Sequence, residues 1–540
     1  MSGGRRGRRC VVEVATRTPP AASTPIRPYH RRVIPVASAR FTPLSPLVRL
    51  EPLEEIGDRR PIDVAEAFRD LPGLALLESA RPGRNARWTF LTADPVAVLT
   101  EPALGPDPFA VARRLLSRLA ADRPIAAGDP TDDVGSRASR TSRAVPPFLG
   151  GLVGYLGYEL GDVLERLPPP PPDDQDLPVL RLALHDWTIA WDRQSGSAWL
   201  AGRALDGDGA RLTKRLHGVR GRVRPSRLAR AAARSLPDEP ATTEEIAFRS
   251  SLDRPAFEAG VRAIRERIAR GDIYQANLTR RLSAPFDGDP WPLHRRLRTG
   301  DPALFAAYLD LGGGAPGHGS GLGSAPARPR AILSASPEPF LAISPDGLVT
   351  ADPIKGTRPR GRNRAADRAL ARELLASAKD RAENVMIVDV LRNDLGRVCE
   401  PGTVRVPRLC RLERTATVQH LVSTVTGRLA PGRDPFDLLR AAFPGGSITG
   451  APKIRAMEIL RELEPTRRGP YTGALGWIGP DGAMASSILI RTFVADGTSL
   501  TLHVGGGITV RSDPAAEWDE TVAKARGPLA AVGGREVGSE

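Results

Sequence analysis

The chain has 540 residues, 41% of them hydrophobic, which is too long for one small core and suits one large domain or two intertwined ones. It contains no run of about eighteen apolar residues and no apolar leader-like stretch near its start, so neither a membrane span nor a secretory signal is expected. The formal net charge of +15 invites a nucleic-acid reading, yet residues 1–50 hold ten arginines and one acid, Glu13, so over half of the excess lies there and no nucleic-acid partner is expected.

In chain order, residues 1–45 include Arg5-Arg6-Gly7-Arg8-Arg9, are rich in Pro, Ser and Thr, and read as a disordered basic tail. A passive tail or a misplaced start codon is favoured there over an RNA-binding arm or an organellar transit peptide. Ordered structure is expected from Pro46-Leu47-Val48 or Leu50 onward, with a helix starting at Pro61 and a buried strand over 74–77. Residues 127–147 read as a loop, 148–157 as a glycine-punctuated apolar segment, and Pro168 to Pro172 as stiff polyproline. Strands are expected over 180–191 and 198–201. Residues 205–250 are Arg-rich and poorly patterned, which puts a boundary there between an N-terminal region, 46–240, and a better patterned C-terminal region, 250–532.

In that second region Phe257, Val261, Ile264 and Ile268 recur at helical spacing until Gly271. Residues 273–279 alternate, with Gln275, Asn277 and Thr279 on one face. Strands are expected over 304–311 and 331–343, separated by a Gly/Ala/Pro-rich hairpin insert, 312–329. Helices follow over 364–378, 380–395 and 451–463. Strands follow over 471–478, 485–494 and 500–504, then a last helix over 514–527. Strands next to strands, with helices laid outside them, argue α+β rather than alternating βαβ.

Two carboxylate pairs stand out. Asp380 and Glu383 lie on one predicted helix, Glu517 and Glu520 on another, and a spacing of three puts both acids of a pair on one face. Four acids from two helices could surround a hard cation such as Mg²⁺, although a solvated acidic face shows the same spacing. Lys524 follows Glu520 on that face and suits a polyanionic substrate. The run Gly505-Gly506-Gly507 reads as following the end of a strand, either offering backbone N–H groups to a carboxylate or making only a hairpin turn. Residues 443–453 form a glycine-rich turn into a helix, with Ser447 or Thr449 as its cap and Pro452 in its first turn.

Of 77 basic residues only five are lysine: Lys214, Lys355, Lys379, Lys453 and Lys524. Where arginine has replaced lysine so widely, the surviving lysines are enriched for places a planar, permanently charged guanidinium cannot serve, since an amine can lose its proton and act as nucleophile or base. Lys214, in a polar Arg-rich stretch, is set aside as chance. Cys10, Cys399 and Cys410 show no C-x-x-C spacing, which suggests neither zinc nor disulfides and fits a reducing compartment, the cytoplasm.

The segments Ile273-Tyr274-Gln275-Ala276-Asn277-Leu278, Ser336-Pro337-Glu338, Pro353-Ile354-Lys355-Gly356-Thr357-Arg358-Pro359-Arg360, Arg381-Ala382-Glu383-Asn384, Arg392-Asn393-Asp394, His420-Leu421-Val422-Ser423 and the block 445–456 together resemble the chorismate-utilising enzymes in order and spacing. The likeness is close over 250–530 and fainter over 50–200, where Leu76-Leu77-Glu78-Ser79 and Gly150-Gly151-Leu152-Val153-Gly154-Tyr155 take part. It implies two large antiparallel β-sheets packed as a sandwich with helices outside, chorismate as substrate and Mg²⁺ as cofactor. Residue by residue, it implies Glu383 and Glu520 as principal metal ligands, with Asp380 and Glu517 supporting them. It implies Tyr471 and Arg491 on the enolpyruvyl carboxylate, Lys524 with the Gly505, Gly506 and Gly507 backbone on the ring carboxylate, Ser447 lining the pocket and His420 near the leaving hydroxyl. Ser79, Arg87, Leu304, Phe305 and Ala306 resemble the pocket in which relatives hold tryptophan.

Within the family, isochorismate and salicylate synthases carry a lysine at the place of Gln275, a general base for water. An amide cannot take that proton, so Gln275 points to ammonia as nucleophile. Lys355 stands where anthranilate and isochorismate synthases typically have alanine, and where aminodeoxychorismate-forming relatives have a lysine thought to attack the ring. The resemblance thus implies amination of chorismate to 4-amino-4-deoxychorismate for 4-aminobenzoate and folate, with Lys355 as covalent nucleophile and Glu338 as proton donor to the departing hydroxyl. The alternative is the anthranilate synthase large subunit. None of the three cysteines has the glycine-rich elbow of a glutamine amidotransferase nucleophile, so ammonia is expected from a separate glutaminase subunit.

Overall fold

Along the strand Ala75–Glu78 successive side chains enter different cores, as the period of two requires. Leu76 joins Leu91, Leu200 and Trp291 in one, while Ala75 joins Phe90, Val153 and Trp477 in another. Leu333 and Ile332 of Pro329–Ser336 divide in the same way. A sheet buried on both faces needs a layer on each side, and the computed structural model, which describes residues 47–80, 86–123, 145–234, 245–313, 328–415 and 418–538, shows what they are. These residues fall in one unit, Phe41–Glu540.

The first sheet has 13 strands and the second ten. The first runs Val48–Pro52, Ser197–Arg203, Trp187–Asp192, Trp88–Thr92, Ala75–Glu78, Phe305–Gly313, Pro329–Ser336, Thr492–Ala495, Ser499–Ile508, Gln275–Pro285, Ile246–Ser250 and Gly534–Val537, with Gly450–Ala451 also paired to Gln275–Pro285. The second runs Ile354–Pro359, Val418–Arg428, Leu348–Ala351, Pro339–Ile343, Met484–Ile488, Ala474–Ile478, Gly151–Leu156, Leu180–His185 and Ala97–Leu99, with Arg405–Arg414 beside Val418–Arg428. Pairing among the described strands is antiparallel, except that Gly534–Val537 lies parallel to Ile246–Ser250. Phe90, Phe148 and Trp477 pack between the sheets with ring centroids 5.2–5.9 Å apart. The helices Gly209–Arg222, Pro290–Gly300 and Pro514–Val532 cover the outer face of the first sheet; Ala110–Leu116, Ala378–Gly396 and Pro435–Ala442 cover that of the second. This is the expected α+β sandwich. Each sheet is shared between 46–240 and 250–532, whose strands form two contiguous blocks that meet at one pair: Ala75–Glu78 with Phe305–Gly313 in the first sheet, and Gly151–Leu156 with Ala474–Ile478 in the second.

Three stretches expected as single strands are each two strands in different sheets. The chain crosses from sheet to sheet at Asp186 within 180–191, at Pro337-Glu338 within 331–343, and at Leu489-Ile490-Arg491 within 485–494. Both sheets are largely buried on both faces, so the apolar content does not change where the chain crosses; Pro337, which has no N–H to give to a ladder, is the one local mark. The poorly patterned 205–250 contains the helices Gly209–Arg222 and Pro225–Arg234, whose buried Leu212, Leu216 and Val219 are masked in the sequence by the arginines between them. The strand expected over 500–504 continues to Ile508, so the three glycines lie inside it rather than after it. The last helix runs past Pro528 to Val532 and ends at Gly533, whose φ of 76° is the left-handed cap that glycine accommodates. The tail 1–45, most of the loop 127–147 and most of the insert 312–329 lie outside the described residues. No helix among the described residues is long and apolar enough to cross a membrane.

Candidate active site

Two helices deliver the acids. Ala378–Gly396 is capped by Ser377, whose hydroxyl accepts the Asp380 N–H at 3.2 Å, and Pro514–Val532 by Asp513, which accepts the Ala516 N–H. Asp380 and Glu517 therefore stand in first turns, where the helix dipole favours a carboxylate. Glu383 Oε1 and Glu517 Oε1, one from each helix, both lie 3.9 Å from the Lys379 ammonium. Glu520 Oε1 lies 2.7 Å from Lys524 Nζ, which also donates to the Gly505 carbonyl at 2.7 Å. Asp380 Oδ2 accepts from Arg358 at 3.3 Å. The sequence singled out Lys379 only as one of five lysines; the structure puts it between two of the acids.

Gly506 opens the space in front of them. A Cβ at that position would come 3.1 Å from Glu517 Oε2, 3.7 Å from Glu520 Oε1 and 4.0 Å from Lys524 Nζ. At Gly507 it would meet the Gln275 amide nitrogen at 2.6 Å, so Gln275 and the acids lie against opposite faces of this strand.

Lys355 reaches the same cluster from an edge of the second sheet. Its amine donates to the Ser447 carbonyl at 3.2 Å, and the Ser447 hydroxyl donates to Glu338 Oε1 at 3.0 Å. Glu338 sits at a crossing between the sheets, where its carbonyl accepts the Ile488 N–H at 3.1 Å. Neither Ser447 nor Thr449 caps the following helix as expected. Thr449 donates to the Gly445 carbonyl at 3.0 Å, and Lys453–Leu463 starts after Pro452 without a side-chain cap. Buried ion pairs hold this turn at both ends. Lys453 donates to Asp394 at 3.0 Å and to the Ala442 carbonyl at 2.9 Å. Arg468 donates to Glu464 at 2.7 and 2.8 Å, to the Ile448 carbonyl at 2.9 Å and to the Asn277 carbonyl at 2.7 Å.

Desolvation lifts the Glu338 carboxyl above its usual range, opposed by Lys355, the Ser447 hydroxyl and Lys524. It lifts Glu383 against Lys355 and Lys379, and Glu517 against the Ser512 hydroxyl. At Glu520 desolvation is outweighed by Lys524, with help from Lys379 and Lys355, and the carboxyl falls below its usual range. Lys355 therefore faces Glu338, Glu383 and Glu520 electrostatically.

The profile of the chorismate binding enzyme family matches residues 102–530. The chain belongs to that family. Anthranilate synthase component 1 of Streptomyces coelicolor is 42% identical over 420 residues, covering 75% of this chain and 78% of that one. Aminodeoxychorismate synthase component 1 of Klebsiella aerogenes is 41% identical over 378 residues, covering 70% and 76%. Among solved structures, anthranilate synthase component I from Streptococcus pneumoniae superimposes with a TM-score of 0.67 at 27% identity, over 83% of this chain and 93% of that one. Relatives of both activities thus lie at nearly the same identity.

Several expected residues of this chorismate-utilising enzyme make contacts of their own. Gln275 is buried, and neither end of its amide has a hydrogen bond. Tyr471 stacks on His503 at 4.8 Å and 9°, and burial raises its hydroxyl pKa. Arg491, exposed at a sheet crossing with φ 50°, points its guanidinium toward Asp301 at 3.8 Å. The His420 ring nitrogen Nδ1 lies 2.9 Å from the Thr357 hydroxyl on the adjacent strand. Ser79, Leu304, Phe305 and Ala306 do line one cavity of about 160 Å³, between Trp88 and Trp477. Arg87 is not part of its lining: Asp192 binds its guanidinium at 2.9 and 3.0 Å, and the guanidinium carbon lies 5.2 Å from the Trp88 ring centre.

Among the described residues no three carboxylate, imidazole or thiol groups converge as a ready metal-ligand set. The donors nonetheless suit a hard cation. They are four carboxylates from two helices, Glu383 Oε1 is buried without a hydrogen bond, Gly506 leaves room before Glu517 and Glu520, and one ammonium already stands between Glu383 and Glu517.

Proposed function

We propose that this enzyme aminates chorismate with ammonia to 4-amino-4-deoxychorismate, through a transient bond to Lys355. The observation that carries the reading is the amine of Lys355 bound to Ser447, whose hydroxyl in turn holds Glu338. An amine attacks through its lone pair, which the guanidinium favoured elsewhere in this chain cannot offer. The Lys355 nitrogen bonds to ring carbon C2 and loses a proton, the ring double bond shifts, and the C4 hydroxyl takes a proton from Glu338 and leaves as water. Ammonia then adds at C4 and gives up a proton, the double bond shifts back, and the lysine nitrogen takes up a proton as it is expelled as the neutral amine; the proton it lost on attack restores Glu338. Glu338 suits the acid role because desolvation raises its carboxyl pKa.

Ser447 and Gly506 border the ring, Lys524 meets its carboxylate, Tyr471 and Arg491 take the enolpyruvyl carboxylate, and His420 assists near C4. The Gln275 amide, on the other face of the strand from the acids and without a hydrogen bond, offers no base to activate water, which supports ammonia as the nucleophile. A Mg²⁺ held by Glu383 and Glu520, with Asp380 and Glu517 in support, would draw in the ring carboxylate and offset the negative charge facing Lys355. Ammonia comes from a separate glutaminase subunit. The cavity at Ser79 and Phe305 is the place for tryptophan.

The alternative, anthranilate synthesis, is the activity named for the Streptomyces coelicolor relative, which is 42% identical. Product identification with chorismate, ammonium and Mg²⁺ separates the two. Anthranilate fluorescence without any 4-aminobenzoate after coupling to a lyase would refute the proposal. Glu383→Ala and Glu520→Ala should each abolish turnover with the fold intact; near-normal rates at saturating Mg²⁺ would remove the metal assignment.

A further inference from the structure

We infer that Lys379 is a built-in counter-ion of the acidic site, which a divalent cation must displace in order to bind. The inference rests on the metal reading above. Each of the four acids already faces a cation of the chain. Asp380 has Arg358 and Glu520 has Lys524, while Glu383 and Glu517 share Lys379. Two of these cations are committed elsewhere: Arg358 donates to Glu373 at 2.7 Å and Lys524 to the Gly505 carbonyl at 2.7 Å. Lys379 is held differently. Its ammonium is 3.9 Å from each carboxylate, beyond hydrogen-bond length, and its side chain is 46% exposed, so it can swing into solvent without breaking a directed bond. It is also the cation that bridges the two helices, where Glu383 Oε1 has no hydrogen bond of its own.

The choice of lysine follows from this. A guanidinium would grip a carboxylate through two parallel hydrogen bonds and resist exchange, whereas an ammonium is a compact point charge that a harder, doubly charged ion can replace. That accounts for one lysine surviving at this place in a chain with 77 basic residues and five lysines. Lys379 keeps Glu383 and Glu517 from repelling one another before the metal arrives, and it sets the metal affinity by competing for them.

The test is calorimetric titration of Mg²⁺ into the full chain without chorismate, for wild type, Lys379→Met and Lys379→Arg. Lys379→Met should bind Mg²⁺ about three- to tenfold more tightly, the scale of one or two part-exposed ion pairs, and Lys379→Arg more weakly. Without Mg²⁺ the Met variant should melt below wild type, and saturating Mg²⁺ should close the gap. Unchanged or weaker binding by Lys379→Met, with wild type binding normally, overturns the inference. So does a raised KM for chorismate with an unchanged Mg²⁺ affinity, which would make Lys379 a substrate contact. If wild type itself takes up no Mg²⁺, the metal reading fails and the inference falls with it.

Discussion

Under the proposed reaction, Lys355 is the residue whose chemistry separates it from the anthranilate alternative. Lys355→Arg keeps a positive charge but offers no lone pair, so it should lose about a hundredfold or more in rate, nearly as much as removal of the nucleophile. Lys355→Ala leaves room for direct attack by ammonia, so residual or redirected amination should persist. Rapid quench and peptide mapping should find a transient mass adduct on Lys355 in wild type; wild-type rates in both variants would exclude covalent catalysis. Glu338 gives a pH test. A carboxyl raised by desolvation donates a proton only while it remains protonated, so the rate should fall as pH rises through its elevated pKa. Glu338→Gln should cost about 10²–10⁴ in kcat and erase that alkaline limb. The same sign holds for stability, since a raised carboxyl contributes below its ordinary pKa and the contribution is lost as it ionises. Both residues were legible in the sequence, Lys355 through the scarcity of lysine and Glu338 through its motif. That a serine joins them was not, because Ser447 arrives from a turn ninety-two positions after Lys355.

At the scale of elements, the turn over 443–452 keeps Ser447 in place because its flanks are pinned by buried charges. Arg468 binds Glu464, the carbonyl beside Ser447 and the carbonyl of Asn277 at once. Arg468→Met would leave Glu464 buried and uncompensated, a loss of about 3–5 kcal/mol on urea denaturation. The double change to Arg468→Met with Glu464→Leu should recover part of it; an equal or larger loss would mean that the arginine acts through packing alone. Helices such as Arg254–Ala269 were readable because one face meets solvent and the apolar period shows. The three sheet crossings were not, since a strand buried on both faces has no period to lose where it changes sheet. Glu338 and Arg491 both stand at such crossings, so their placement was hidden along with them.

For the whole molecule, both sheets are continued from early strands into late ones, at Ala75–Glu78 beside Phe305–Gly313 and at Gly151–Leu156 beside Ala474–Ile478, which makes 46–240 and 250–532 depend on one another. The basic segment 1–45 lacks the apolar periodicity needed to join a core, so its deletion should leave the ammonia-dependent rate and the melting temperature unchanged. A large loss of either would make it structural. The chain alone should use ammonium but not glutamine, because Cys399 and Cys410 are buried and, at Cys399, burial raises the thiol pKa to about 11. Glutamine-dependent product from pure chain would contradict this. The sequence by itself determined the family, the α+β class and the acid pairs, because motif order, helical spacing and residue chemistry are local properties. Only the tertiary structure decided which side chains meet. It set Lys379 between Glu383 and Glu517, joined Lys355 to Glu338 through Ser447, turned Gln275 to the other face of the strand from the acids, and took Arg87 out of the cavity lining to pair with Asp192. Those meetings depend on strand register and on where the chain changes sheet, which packing of the two buried faces sets and no local pattern records.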